Sequence, residues 1–264
     1  MPHVDYDFDG ALAVLTIVHD KAPVISRELM AELLEQVQHA RKDDCRGLLI
    51  RAVGPAFLAG ADAADLKGIS EAEARKMFTG FMAVIHEVQS LTVPTVAAVH
   101  GMCLGGGLEL SLACDLIVAK KGTMFGQVEA RLGGATFIGG TARLAERCGS
   151  SRALDISYSG ALYNADAFAS WGIVTQVVDA DNFEDKARAL AHMLAHGPTA
   201  AHRVTKEVLR TAQTQGLAKA DARVLELAPA LVETSDMQTA IDVIQTAGSR
   251  EFMADRSLVA FRGQ

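Results

Sequence analysis

Apolar residues recur along this chain in two rhythms that alternate through roughly its first two-thirds. Short, nearly continuous apolar runs mark strands at residues 11–18, Gly47–Val53, Thr95–Val99 and 115–119, with shorter candidates at 123–125 and 174–178. Between them the apolar positions fall three and four apart, the period of a helix with one buried face. Ser26 caps the first such helix, whose Leu29, Met30, Leu33, Leu34 and Val37 share that face. Ser70 with Glu73 reads as a capping box opening a long helix to about Leu91, and Pro94 stops it. After about Asn182 the rhythm is helical throughout, broken at Gly197-Pro198, Gly216 and Ser235, and Ser235 with Gln238 reads as a second capping box. Strands and helices joined by short loops predict an α/β layer structure, and the helical tail is expected to pack on the core or on a neighbour.

Two glycine-rich stretches sit where strands hand over to helices. Residues 101–109 read Gly-Met-Cys-Leu-Gly-Gly-Gly-Leu-Glu, ahead of a short helix to Ala113. Successive glycines let backbone N–H groups approach a ligand, and the helix behind them turns its positive end the same way. Glu109 then places a carboxylate near the helix start. The stretch suits a reaction that builds negative charge on an oxygen beside a carboxylate; it also suits a tight strand-to-helix turn. Residues 133–140 form the second loop, and the stretch from Gly134 to Thr141 reads like a phosphate-binding loop except that Gly140 stands where the lysine is needed.

At 264 residues, half of them hydrophobic, the chain can bury one large core, with or without an appendage. Aromatic residues are only 5%, so Ala, Leu, Val and Ile must fill that core. A net charge of −7 with no basic run argues against nucleic-acid binding. Cys45, Cys103, Cys114 and Cys148 form no C-x-x-C pair and read as small hydrophobes in a reducing compartment. The histidines lack metal-ligand spacing, so no metal is expected. The acidic start has no apolar signal core and no run reaches membrane-span length, which makes a cytoplasmic protein with no membrane partner the expectation. A serine-nucleophile elbow and a dinucleotide fingerprint are both missing.

Four segments, taken in order, closely resemble the crotonase superfamily of enoyl-CoA hydratases and isomerases. They are Phe57-Leu58-Ala59-Gly60-Ala61-Asp62, the stretch from Val99 to Asp115, Phe125-Gly126-Gln127-Val128-Glu129, and Gly139-Gly140-Thr141-Ala142-Arg143-Leu144. The resemblance runs from about residue 10 to the Phe261-Arg262-Gly263 ending. It implies a crotonase-like spiral of ββα units (residues 1–195) carrying an acyl-CoA site, and a C-terminal all-helical trimerisation region (residues 196–264). It implies a homotrimer or homohexamer acting on an acyl-CoA thioester, with coenzyme A as part of the substrate and no separate cofactor.

By position within those motifs, the resemblance assigns the backbone amides of Ala61 and Gly106 to an oxyanion hole and the side chains of Glu109 and Glu129 to catalysis. Ala59, Gly60, Asp62, Gly105, Thr136 and Phe137 fall at substrate-binding positions. For Glu109, a first-turn carboxylate serving only the helix dipole is an equal reading of the residue alone; for Glu129, a solvated loop charge. Their spacing by itself does not bring the two together. Glutamate at both positions favours hydration of a trans-2-enoyl-CoA to a 3-hydroxyacyl-CoA. Alternatives are enoyl-CoA isomerisation, another thioester-enolate reaction, or a catalytically weak acyl-CoA-binding subunit.

Several positions depart from the pattern. Val128 stands where many hydratases carry proline, and Thr136-Phe137 where the loop usually reads Pro-Gly. Phe137 either narrows the acyl site or packs outward. His100 stands where Asn is commoner and reads as a packed, hydrogen-bonded histidine. The lysine often found after the Ala-Asp pair is missing, with Lys67 nearby, and residues 20–26 lack the usual Asn-Ala-Leu edge. Phe252, Arg256, Phe261 and Arg262 are candidate ligand contacts in a longer C-terminal segment.

Overall fold

The computed structural model describes residues 3–19 and 24–264. Most of the edge motif at 20–26 therefore lies outside the described residues. The strands are β1 (His3–Phe8), β2 (Leu12–Val18), β3 (Gly47–Val53), β4 (Thr95–Val99), β5 (Met102–Leu104), β6 (Leu116–Lys120), β7 (Met124–Gly126), β8 (Tyr163–Asn164) and β9 (Gln176–Val178). The first helices are α1 (Arg27–Lys42), α2 (Ala63–Leu66), α3 (Glu71–Ser90), α4 (Gly106–Ala113), α5 (Gly140–Cys148), α6 (Ser150–Ser159) and α7 (Ala165–Ser170). Five more follow: α8 (Phe183–Ala195), α9 (Thr199–Gln215), α10 (Leu217–Leu227), α11 (Ser235–Ala247) and α12 (Ser249–Ala254).

A six-stranded sheet has the order β1-β2-β3-β4-β6-β9, parallel except for the β1–β2 hairpin. A smaller sheet pairs β5 parallel to β7 and β7 antiparallel to β8. Isolated parallel bridges from Ile25 to Ala61 and from Leu58 to Cys103 carry that second layer further back along the chain. Successive passes thus leave one strand in the large sheet, place one extended segment in the small layer, and return through helix. This repetition is the ββα spiral.

Side chains alternate along the large sheet as a pleat demands. Leu15, Ile17, Leu48, Ile50, Ala97, Val99 and Ile117 face the main core with α1, α3 and α4. Leu12, Val14, Leu49, Val96, Ala98 and Val118 face the other way, against Phe183, Ala187, Ala191 and Ala195 of α8. Both faces are covered, which is why the strands read as continuous apolar runs. Cys45, Cys103 and Cys114 are buried and free; burial pushes the Cys114 thiol up to about 12, leaving it inert. Among the described residues no helix is long and apolar enough to cross a membrane, and no group of three potential ligands could hold a metal.

Local signals set the helix starts. Ser26 accepts from the Leu29 amide, and Ser70 with Glu73 forms the reciprocal box. The reading at Ser235 requires correction. Thr234 is the cap and accepts from the Met237 amide, while the Ser235 hydroxyl donates to the Gln264 carbonyl and Gln238 Nε2 donates to the Val232 carbonyl. Buried Asp236 accepts from the amides of Arg262 and Gly263, at 2.6 and 2.8 Å, so the terminal segment occupies the hydroxyl that the box needed. On the core side, Arg46 binds the Thr199 hydroxyl and the carbonyls of Gly197 and Phe261.

Candidate active site

The site is built where the second layer meets α4. β5 ends at Leu104, Gly105 takes φ +51°, and the chain turns at once into α4. Beside it, Leu58 accepts from the Leu104 amide at 2.9 Å, which lays Ala59-Gly60-Ala61 alongside the helix start. A cavity of about 90 Å³ opens between them. Its walls include Ala59, Gly60, Ala61, Gly105, Gly106, Glu109, Glu129 and Phe137. Among the described residues no backbone carbonyl takes up the Ala61 or the Gly106 amide. Asp62 and Thr136 are placed outside these walls. Asp62 caps α2 through the Ala64 amide, and the Thr136 hydroxyl pairs with that of Thr141 at 3.2 Å.

Both glutamates come to this cavity. Glu109 is 1% exposed on a helix that is apolar on every side, and Glu129 is 7% exposed at the start of a 3₁₀ turn after β7. Glu109 Oε1 accepts from the amides of Ile138 (3.0 Å) and Gly140 (2.7 Å). Glu129 lies over Gly105, so close that a methyl group on that glycine would stand 3.0 Å from its Oε1. The Gln127 amide, oriented to donate, reaches both Glu129 oxygens at 3.0 and 3.2 Å. Gln127 is the functional neighbour that the sequence reading missed; a buried amide in the run from Phe125 to Val128 was its only signal.

Burial pushes the Glu109 carboxyl up to about 7, and the charge of Glu129 adds to it; the two backbone N–H donors and Arg143 pull the other way. Burial likewise raises Glu129. Two buried carboxyls on one cavity resist double ionisation, and burial is the common cause that raises the pair. This has a cost in stability. Because the folded-state value of Glu109 lies above its ordinary value, the folded protein binds more protons between about pH 4.5 and 7, and stability falls as pH rises through that window. The charged site then costs on the order of 3 kcal/mol at most. Glu109→Gln keeps an oxygen for the Ile138 and Gly140 amides without the charge. The variant is expected to melt above the parent at pH 8 and to lose that advantage at pH 4.5; parallel melting curves across this range refute the assignment.

Phe137 faces inward. It stacks on Phe78 of α3 with ring centroids 4.4 Å apart and planes 11° apart. The pair separates the inner cavity from an outer, largely apolar groove of about 580 Å³ along α3. His100 is a packing residue, its Nε2 lying 3.0 Å from the Gly54 carbonyl.

The model of the enoyl-CoA hydratase/isomerase family matches residues 7–252. A crotonyl-CoA hydratase of Syntrophomonas wolfei is 32% identical over 198 residues, 74% of this chain and 76% of that protein. An enoyl-CoA isomerase/hydratase of Mycosarcoma maydis is 31% identical over 231 residues, 84% of each chain. Among solved structures, an enoyl-CoA hydratase subunit I of Geobacillus kaustophilus superposes with a TM-score of 0.88 at 27% identity, covering 99% of this chain and 98% of its own. By family match, sequence identity and fold together, the chain belongs to the enoyl-CoA hydratase/isomerase family of the crotonase superfamily.

Proposed function

We propose that this protein hydrates trans-2-enoyl-CoA thioesters to 3-hydroxyacyl-CoA, with coenzyme A as part of the substrate and no further cofactor. The observation that carries the reading is the pair of buried carboxyls, both raised by burial, facing one cavity with two amides that no backbone carbonyl among the described residues takes up. The thioester carbonyl sits between the Ala61 and Gly106 amides, at the positive end of α4, where negative charge on oxygen is favoured. Glu109 takes a proton from water as its oxygen bonds to the β-carbon. The C=C electron pair moves toward the thioester, and Glu129 gives its proton to the α-carbon. Exchange of a proton between the two carboxyls through the bound product or solvent resets them. Ala59, Gly60, Gly105 and Phe137 shape the bound thioester, while Asp62 and Thr136 hold the loops that carry it.

A second reading, double-bond isomerisation, draws on the double name of the Mycosarcoma relative and on the occupied Oε1 of Glu109. There Glu129 alone carries the proton between carbons. A series of trans-2-enoyl-CoA substrates, followed by loss of the conjugated thioester absorbance and by product mass, decides between them. Gain of one water mass is expected. Binding without consumption of any member removes the hydratase reading.

The stacked Phe78–Phe137 pair leaves room for a short acyl chain. Crotonyl-CoA is expected to be a better substrate than octenoyl-CoA. Phe137→Ala joins the inner cavity to the α3 groove, and is expected to raise kcat/KM for octenoyl-CoA by about 10-fold or more with little change for crotonyl-CoA. An unchanged chain-length preference overturns this role. Leu209, Leu217, Leu225 and Val232 lie exposed on the C-terminal helices and suit self-association as a homotrimer or homohexamer, measurable by sedimentation.

A further inference from the structure

Arg143 lies on α5, outside the cavity walls, yet its guanidinium is aimed at the segment that holds Glu109. Nη1 donates to the carbonyls of Ile138 and Gly139, both at 3.1 Å, and Nη2 donates to Gln89 Oε1 of α3 at 2.6 Å. The amides of Ile138 and Gly140 point to the opposite side, into Glu109 Oε1. One peptide group therefore joins the two charges: the Gly139 carbonyl accepts from Arg143 while the amide of the same group, on Gly140, donates to Glu109. Hydrogen bonds in such a chain polarise one another, so a cation at one end strengthens the donor at the other.

This placement runs against the usual electrostatics of a helix. A cation in the first turn opposes the helix dipole, which favours carboxylates there. Arg143 is also partly desolvated, and among the described residues its buried Nε has no hydrogen-bond partner. Packing alone does not require an arginine folded back over the start of its own helix. The arrangement is explained if the guanidinium fixes the two carbonyls so that the two amides stay converged on one carboxylate oxygen. Gly139 is suited to it as well: its φ is +90°, and a methyl group there would stand 2.2 Å from Arg143 Nη1.

We infer that Arg143 is a positioning residue for Glu109, acting through the peptide group that joins Gly139 and Gly140. It keeps Oε1 tethered and leaves Oε2 directed to water, and its charge helps Glu109 to ionise as the base. The groups whose charge acts on Glu109 are Glu129, from the turn after β7, and Arg143; Glu146 acts on Arg143 from the same helix. Among the described residues the cavity receives only Phe78 and Phe81 from α3, only Ala59, Gly60 and Ala61 from the loop after β3, and only Leu66 from α2, none of which titrates.

The rate readout of this inference rests on the hydratase reading, so the decisive measurement is made without turnover. The Glu109 carboxyl is titrated by ¹³C NMR in the ligand-free protein, its signal assigned through Glu109→Gln. In Arg143→Met the Glu109 midpoint is expected to rise by about 0.5–1 pH unit, and in Arg143→Lys by less. With crotonyl-CoA, Arg143→Met is expected to lower kcat by about 10-fold or more with KM within about threefold, and to move the acid limb of the kcat profile up by the same interval. Should Arg143→Met fail to fold, Gln89→Leu, which removes only the Nη2 acceptor, is expected to shift the midpoint in the same direction by a smaller amount. An unmoved Glu109 midpoint in a folded variant overturns the inference. Absence of turnover in the parent protein overturns the hydratase reading and leaves the titration to decide the role of Arg143.

Discussion

Glu129→Gln lowers the turnover of crotonyl-CoA by about 10²–10⁴-fold, and Glu109→Gln does the same, if water is added across the double bond. Each carboxyl has one half of the work. Glu129 lies over Gly105, and burial pushes its carboxyl above the usual carboxylate range, which suits a proton donor. Glu109 is tethered through one oxygen and shares the cavity's charge with it. Glutamine keeps the shape of either side chain and the acceptor oxygen that Ile138 and Gly140 need, so binding of a saturated acyl-CoA is expected to change little. Loss then falls on kcat rather than KM, the mark of an interaction made in the transition state. The two variants together separate the reactions. Hydration collapses in both, whereas a proton shuttle run by Glu129 alone survives Glu109→Gln. Near-normal hydration in either variant removes that carboxyl from the mechanism.

Those two carboxyls mark both the reach and the limit of the sequence. The glycine run at 101–107 and the glutamate after it were legible because backbone conformation and helix start are local matters. So were the caps at Ser26 and Ser70, confirmed by their bonds to Leu29 and Glu73. β1 went unread because its alternation, His-Val-Asp-Tyr-Asp-Phe, is mostly polar; it exists through its antiparallel register with β2. The four-residue α2 has no periodicity to detect and is announced only by the Asp62 cap. At Ser235 the local signal was present and a distant partner overrode it: the Gln264 carbonyl takes the hydroxyl, so the cap moves to Thr234. Resemblance placed Glu129 near Glu109, but no spacing rule brings β7 to the start of α4; the Gly105–Gly126 backbone bond does. The orientation of Phe137, left open by the sequence, is fixed by Phe78, a contact between segments nearly sixty positions apart.

The same distinction between local and distant constraint singles out Gly107. Its φ is not in the left-handed region, and on the sequence it is one glycine in a run of three. In space, a methyl group on it would lie 2.5 Å from both the Cβ and the carbonyl oxygen of Leu58, a separation that real side chains do not show. Leu58 cannot yield easily, since its carbonyl accepts from Leu104 and its amide donates to the Met102 carbonyl. Gly107→Ala must therefore part the loop of Ala59-Gly60-Ala61 from the first turn of α4, and these carry the two amides assigned to the thioester oxygen. Overpacking of this kind costs about 1–3 kcal/mol of stability, and more where backbone is in the way. Losing one aligned donor costs about 2.7–4 kcal/mol in the transition state, or about 10²–10³ in kcat. The variant is expected to melt lower and to lose at least about 10²-fold in kcat although both carboxyls are intact. Gly80→Ala is the control: it lies within α3 with open space around its added methyl, and is expected to gain about 0.5–1 kcal/mol without change in activity. Wild-type turnover in a folded Gly107→Ala protein would place the oxygen-binding amides elsewhere, because the added methyl meets both the side chain and the backbone of Leu58, three residues before Ala61.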